Sequence, residues 1–294
     1  MYTPSTISGY QLEQLVEDAG WKKLYTVWDV KRMKRLSLLF YPSLTERNRK
    51  LLQTRIGQLQ QLKHSSLLPI VDWGNVSSSS SLYYTYPLLP TSSLATLLSS
   101  HSVEEKLFFL SLYLREALKG LGYIHRAGTT HRNLHPESLR ITHQRQLFLK
   151  GFVHTRSKRE SSLLHRRVHF PYLAPEQLLG ESSDRKCDLY SLGVICFYCL
   201  SGKLPYTSNY EKIQAYDKDT LLPLSSFSPS IPESMRHMIQ RALAPRKFRY
   251  SLAEEWLEDV EHFYAKCPLS MKWKHVLHKF HVRFFSSSSV VNSL

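Results

Sequence analysis

Thr130–Ile141, THRNLHPESLRI, packs a histidine, an amide, a second histidine and a serine hydroxyl into one short loop. Asn133 offers an amide, which accepts a hydrogen bond but takes no proton near pH 7. His131 and His135 stand at H-x-x-x-H spacing, but with no glutamate or third ligand nearby, so a zinc site is rejected. Cys196 and Cys199 form C-x-x-C inside the apolar run LYSLGVICFYCL, without a second pair at metal-ligand spacing. They read as buried helix cysteines.

A second chemistry-bearing stretch, KGFVHTRSKRESSLLHRRVHF, is dense in cations. Lys150, Arg156, Lys158, Arg159, Arg166 and Arg167 stand against one acid, Glu160. Ser157, Ser161 and Ser162 are candidate phosphoacceptors for another enzyme. A solvated basic loop is the plain reading. A docking face for an acidic protein or nucleic acid is the sharper one.

The elements that must position these residues follow from the wider pattern. With 294 residues, 42% hydrophobic and 21% charged, the chain reads as one or two soluble domains with an ample core. Four cysteines make no disulfide framework, so a reducing compartment is expected. The start, MYTPSTISGY, lacks a basic n-region and an apolar core, and Leu189–Leu200 is too short to cross a bilayer. A cytoplasmic protein is expected, or one delivered to another cell's cytoplasm by a non-Sec route. The net charge of +15 favours acidic partners without choosing among them.

LYTVWDV and LSLLFY read as strands joined by the basic turn KRMKR. LLQTRIGQLQQL, from Leu51 to Leu62, carries apolar residues at helical spacing, and IVDWG and SLYYTY return to strand character. The Ser77–Ser81 run between them reads as a hairpin tip. After Pro87 and Pro90 the pattern is mostly helical: a long helix from Val103 capped near Gly128, then Asp188–Leu200 and Ser234–Leu243. MKWKHVLHKFHVRFF places Trp273, Val276, Leu277, Phe280 and Phe284 on one helical face, with Lys272, Lys274, Lys279 and Arg283 over much of the rest. This basic amphipathic stretch reads first as a last docked helix and second as a contact with membrane or a partner, followed by a Ser286–Ser289 tail expected to be disordered.

The chain resembles the eukaryotic-type Ser/Thr protein kinase family over about residues 10–265. THRNLHPESLRI is similar to the catalytic loop, and Leu149–Val153 falls where the Asp-Phe-Gly motif should follow. Ala174-Pro175-Glu176 is an intact Ala-Pro-Glu motif, and CDLYSLG around Asp188 matches the helix after it. The resemblance implies an α+β, two-lobed kinase-like fold: a small antiparallel β-lobe with one helix and a larger, mainly α-helical lobe. The expected divisions are a tail at 1–9, an N-lobe at 10–87, a C-lobe at 88–265 and a basic segment with a Ser-rich tail at 266–294.

Carried over residue by residue, the resemblance also implies what is missing. Phosphoryl transfer in this family needs a strand lysine on the phosphates, a glutamate holding it, carboxylates for Mg²⁺ and a carboxylate near the substrate hydroxyl. The strand lysine matches Leu39, with Lys34 placed in the preceding turn. The glutamate matches Arg55 and the catalytic aspartate Asn133. The loop lysine matches His135, the metal asparagine Ser138 and the magnesium aspartate Gly151. The three defining glycines of the phosphate loop match Glu17, Ala19 and Lys22. The aliphatic residue under the adenine matches Arg140, and Tyr86 lies at the same cleft. What is retained belongs to the scaffold. His131, Phe152, Leu59 and Ile70 match a hydrophobic spine, Asp188 the aspartate that holds the catalytic loop, and Glu176 and Arg249 a structural ion pair.

The expectation is therefore a pseudokinase with no cofactor, acting by protein binding as scaffold, allosteric regulator or effector. Its partner would be an active kinase or an acidic protein surface. Two rivals stand beside it: a divergent active Ser/Thr kinase that handles ATP and Mg²⁺ in a non-standard way, and a module that binds an anionic surface, lipid or nucleic acid, through its basic segments, with 271–285 as the membrane contact. Nucleic acid is disfavoured, since no nucleic-acid fold signature is present.

Overall fold

Alternation of buried and half-exposed residues in Lys23–Asp29 (β3) puts Tyr25, Val27 and Asp29 on the inward face, as a period of two requires. Lys34–Tyr41 (β4) instead buries Leu36 to Leu39 without a break, which marks a central strand covered on both sides. In the computed structural model, which describes residues 6–76, 80–89, 91–151, 170–182, 184–223 and 226–266, both strands lie inside one antiparallel sheet. Its other members are Thr6–Ile7 (β1), Tyr10–Asp18 (β2), Asp72–Asn75 (β5) and Leu82–Pro87 (β6), in the order β1-β2-β3-β4-β6-β5. The sheet thus includes Thr6 and Ile7, which lie in the expected N-terminal tail. Lys34 is a further correction: it opens β4, paired with Asp29, because the hairpin turn is confined to the four residues before it.

The helix expected over Leu51–Leu62 runs instead over Glu46–Gln60 (α1). Thr45 supplies the reason, since its side chain accepts the Asn48 N–H and caps a first turn that carries Glu46. Leu52, Ile56 and Leu59 form its buried stripe.

The second half begins with a three-stranded sheet of Thr91–Ser93 (β7), Leu139–Thr142 (β8) and Leu147–Leu149 (β9), together with the short helix Leu94–Leu98 (α2). Val103–Arg126 (α3) starts at a reciprocal Ser102–Glu105 capping box and stops before Gly128, whose φ of 71° only glycine adopts cheaply. Pro175–Leu178 (α4), Arg185–Ser201 (α5), Asn209–Asp217 (α6), Glu233–Ala242 (α7) and Ala253–Lys266 (α8) complete the described helices. Helix α5 is apolar nearly all round and runs through the core, which is why its Cys196 and Cys199 are buried. A Cβ on Gly193 would stand 2.9 Å from that of Ala242, so the glycine lets α5 and α7 approach.

One continuous core runs from Leu39, Tyr84 and α1 through α3, α5 and α8, where Trp256 is fully buried. A smaller cluster around Ile7, Val27 and Leu38 covers the other face of the large sheet. The halves are stitched at Leu149, which donates to Ser66 O at 2.8 Å and accepts from Leu68 N at 3.1 Å. The fold is α+β, an antiparallel sheet followed by a helical region. Among the described residues no helix is long and apolar enough to cross a membrane.

Candidate functional site

A buried carboxylate anchors the start of the loop Thr130–Ser138. Asp188, on α5, accepts the backbone N–H of His131 at 2.7 Å and that of Arg132 at 2.6 Å, and it meets His125 Nε2 at 2.9 Å. Burial alone would raise its pKa. The His125 bond, the two nearby imidazoles and the Arg132 N–H outweigh that and hold it below the usual carboxylate range. The geometry forces Arg132 to a φ of 66°. His131 turns inward, with Nδ1 accepting the Asn133 N–H at 3.4 Å and Nε2 against Lys150 O at 3.0 Å. Burial pushes its pKa down to about 4.

Three of the residues singled out from the sequence meet where the loop closes on β9. Ser138 is fully buried; its hydroxyl donates to Asn133 O at 3.2 Å and accepts the His135 N–H at 3.2 Å. Its carbonyl takes the Lys150 N–H at 2.9 Å. Gly151 follows with a φ of 91°, and a Cβ built on it would come to 4.0 Å from Ser138 Oγ. The side chains at these three positions are a carboxamide at Asn133, a Ser138 hydroxyl already used in two loop bonds, and none at Gly151. Mg²⁺ takes hard oxygens, usually including one or two carboxylates, and these three positions supply none.

The opposite wall is the large sheet. Glu17, Ala19 and Lys22 shape the turn between β2 and β3, closed by a Lys22–Glu17 ion pair at 3.1 Å and a Lys23–Asp18 pair at 3.0 Å. Gly20 sits at a φ of 78° and donates to Asp18 Oδ1 at 2.8 Å. The Glu17 charge therefore has its own counterion. Leu39 is buried between Leu24 and Tyr84 in the strand register. Tyr84 is buried as well, and Tyr86 pairs with Ser37 by register and hydrogen bond. Burial pushes the Tyr86 phenol up to about 12. Lys34 lies at the far, exposed end of β4.

Arg140 spans the floor. Its Nε donates to Thr91 Oγ1 at 2.9 Å, its Nη2 to Thr91 O at 2.6 Å, and its Nη1 to Glu137 Oε2 at 2.5 Å. Lys150 lies close enough to Arg140, Glu137, Lys22 and Glu17 to feel all four charges, and burial followed by Arg140 lowers its pKa. In sequence Lys150 belongs with the basic loop; in the fold its backbone lies beside Ser138 and its charge near Arg140, Lys22 and Glu17.

Arg55 is brought elsewhere than a Lys–Glu pairing would suggest. It leaves Leu39 and donates through Nη1 to Thr129 Oγ1 and through Nη2 to Thr130 O. Thr129 and Thr130 were not singled out from the sequence, and no pattern there marks them. Leu59 is buried, and Ile70 packs half-buried on the same core. Glu176 and Arg249 form an ion pair at 2.6 Å with both side chains fully buried. Phe152, Arg156, Lys158, Arg159, Arg166, Arg167, Lys272, Lys274, Lys279 and Arg283 lie outside the described residues. Among the described residues no cluster of histidine, cysteine or acidic side chains could hold a metal.

Comparison with known proteins points one way. The family model described as the protein kinase domain matches residues 36–260. The chain is 26% identical over 281 residues to a "Probable serine/threonine-protein kinase" of Streptomyces coelicolor, a match covering 89% of this chain and 41% of that protein. It is 30% identical over 151 residues to the "Probable serine/threonine-protein kinase PknB" of Bifidobacterium longum, covering 49% and 22%. It is 32% identical over 159 residues to mitogen-activated protein kinase kinase 1 of Arabidopsis thaliana, covering 49% and 45%. In these matches the chain spans less than half the length of each curated relative.

Proposed function

The chain belongs to the protein kinase domain family, and on that premise we propose that it is a pseudokinase: a kinase-like domain that transfers no phosphate, does not bind Mg·ATP appreciably and acts by binding another protein. One observation carries this. Asn133, Ser138 and Gly151, the positions that match the family's base and metal ligands, adjoin through the Ser138 hydroxyl, which donates to the Asn133 backbone carbonyl, and their side chains offer Mg²⁺ no carboxylate. Leu39 adds no amine for the phosphates, and Arg55 is engaged with Thr129 and Thr130.

The losses act on separate terms of the reaction. A general base is typically worth about 10²–10⁴-fold in rate. Metal neutralisation of developing phosphate charge supplies several kcal/mol more. With both gone, together with the strand amine, no single neighbour restores the reaction. Lys150 is a cation at the cleft, but its pKa is already depressed by burial and by Arg140. It stands in for neither a carboxylate nor a divalent ion.

The scaffold contacts support a binding role. Asp188, His131, Glu176 and Arg249 hold loop and helices in a defined arrangement without requiring turnover. The partner is expected to be a protein with an acidic surface, or an active kinase, met by the basic stretch 150–170 and the segment 271–285. The test is phosphate transfer: purified chain with radioactive ATP and Mg²⁺ should label neither itself nor a generic acceptor. Labelling that disappears when Asn133 is altered would sink the proposal.

A further inference from the structure

In a nucleotide-binding domain of two halves, closure is commonly driven by the ligand between them. Here a side chain also crosses directly from one half to the other. Arg55 projects from α1, whose inner stripe Leu52, Ile56 and Leu59 is packed into the core beside the large sheet. Its two terminal nitrogens separate at the far side, Nη1 to the Thr129 hydroxyl and Nη2 to the Thr130 carbonyl. A planar guanidinium suits this task, because two divergent donors fix orientation as well as distance.

The receiving end is rigid. Thr130 Oγ1 accepts from Arg132 Nε at 2.8 Å, and Thr129 N donates to Ile124 O at 3.0 Å at the end of α3. The next two residues are held by Asp188. Arg55 therefore ties α1 to the framework that carries the whole loop. Its charge is not idle either: burial and Arg132 lower its pKa, and the buried Asp188 carboxylate opposes them.

We propose that Arg55 is a ligand-independent latch, closing α1 onto the Thr129–Thr130 segment so that the two halves keep one arrangement with the cleft empty. The position is the one at which the resemblance expects a glutamate facing a strand lysine. Here the chain has turned that inward contact from β4 toward the loop. The surface formed by α1 and the loop is then preformed for a partner, and nucleotide has no closure left to drive. The latch does not depend on the chain being inactive, since a protein that bound nucleotide could carry it too.

Hydrogen exchange on the full chain without nucleotide reads the latch directly, since each amide reports the opening of its own segment. Arg55→Ala should raise exchange about tenfold or more at two places together, residues 56–60 of α1 and residues 129–134. The helices α5 and α7 should be unchanged. Thr129→Val, which removes one acceptor and keeps the shape, should produce a smaller rise at the same two places. Combined with Arg55→Ala it should add less than the two single effects. A rise confined to α1, or additive effects of the two substitutions, would overturn the proposal. So would unchanged exchange at both segments in folded Arg55→Ala.

Discussion

Arg249 and Glu176 lie 73 residues apart in sequence and meet through two hydrogen bonds, Nη1 to Oε1 at 2.6 Å and Nη2 to Oε2 at 3.3 Å. Both side chains are wholly removed from solvent. Arg249 also donates to Ala244 O at 3.0 Å and to Lys186 O at 3.1 Å, so the pair ties α4 to the start of α5 and to the loop that follows α7. Removing one partner leaves a buried charge without compensation, which costs about 3–5 kcal/mol. Glu176→Ala should lower urea stability by that order. The double variant Glu176→Leu/Arg249→Met should lose less than Glu176→Ala. A single-variant loss below about 1 kcal/mol would show that water reaches the pair.

His131 gives the fold a pH dependence with a definite sign. Its Nδ1 accepts from Asn133 N, so Nε2 carries the proton and donates to Lys150 O. A second proton on Nδ1 would face an N–H. Burial holds the folded pKa at about 4 against 6.5 for the exposed ring. The unfolded chain therefore binds the proton first, and the contribution, fully present above pH 6.5, is lost as pH falls toward 4. Chemical denaturation at pH 5 should show about 2 kcal/mol less stability than at pH 7 from this group. His131→Phe should flatten that slope; an unchanged slope would assign it to other groups.

The cleft floor is committed to the protein itself. Arg140 spends three of its donors on Thr91 and Glu137. Arg140→Leu should cost about 1.5–3 kcal/mol, the range for hydrogen bonds that involve a charged group. A change within about 0.5 kcal/mol would mean that the guanidinium is exchangeable with water and the floor open.

Restoring acids one by one should not restore chemistry. Asn133→Asp together with Gly151→Asp supplies a base and one metal ligand. Leu39 and Arg55 still leave the phosphates without their amine and its holder. Incorporation of labelled phosphate by the double variant should stay at the assay background. Turnover from those two changes alone would show that the other losses are tolerated.

Strand and helix periodicity made the two-part fold legible, because β3 alternates and the stripe of α1 repeats at helical spacing. The helix starts five residues before the apolar pattern does because Thr45 acts through a cap, which adds nothing to that pattern. The gathering of Asn133, Ser138 and Gly151 followed from motif order. The engagement of Arg55 did not. Its partners are threonines whose role arises only when α1 and the loop are brought together, and a hydroxyl and a carbonyl leave no mark on composition. Lys150 was read with the basic stretch for the same reason, since its neighbours Lys22 and Glu17 come from the other end of the chain.

Thermal unfolding with saturating ATP, with and without Mg²⁺, tests most directly whether the chain grips a metal-bound triphosphate. A ligand at 100 times its Kd adds about 2.7 kcal/mol. In a chain of this size that raises Tm by roughly 4–5 °C. The expected result is a shift within about 1 °C that Mg²⁺ does not alter, by comparison with that bound-state figure. A rise of several degrees that requires Mg²⁺ and vanishes with EDTA would contradict the account.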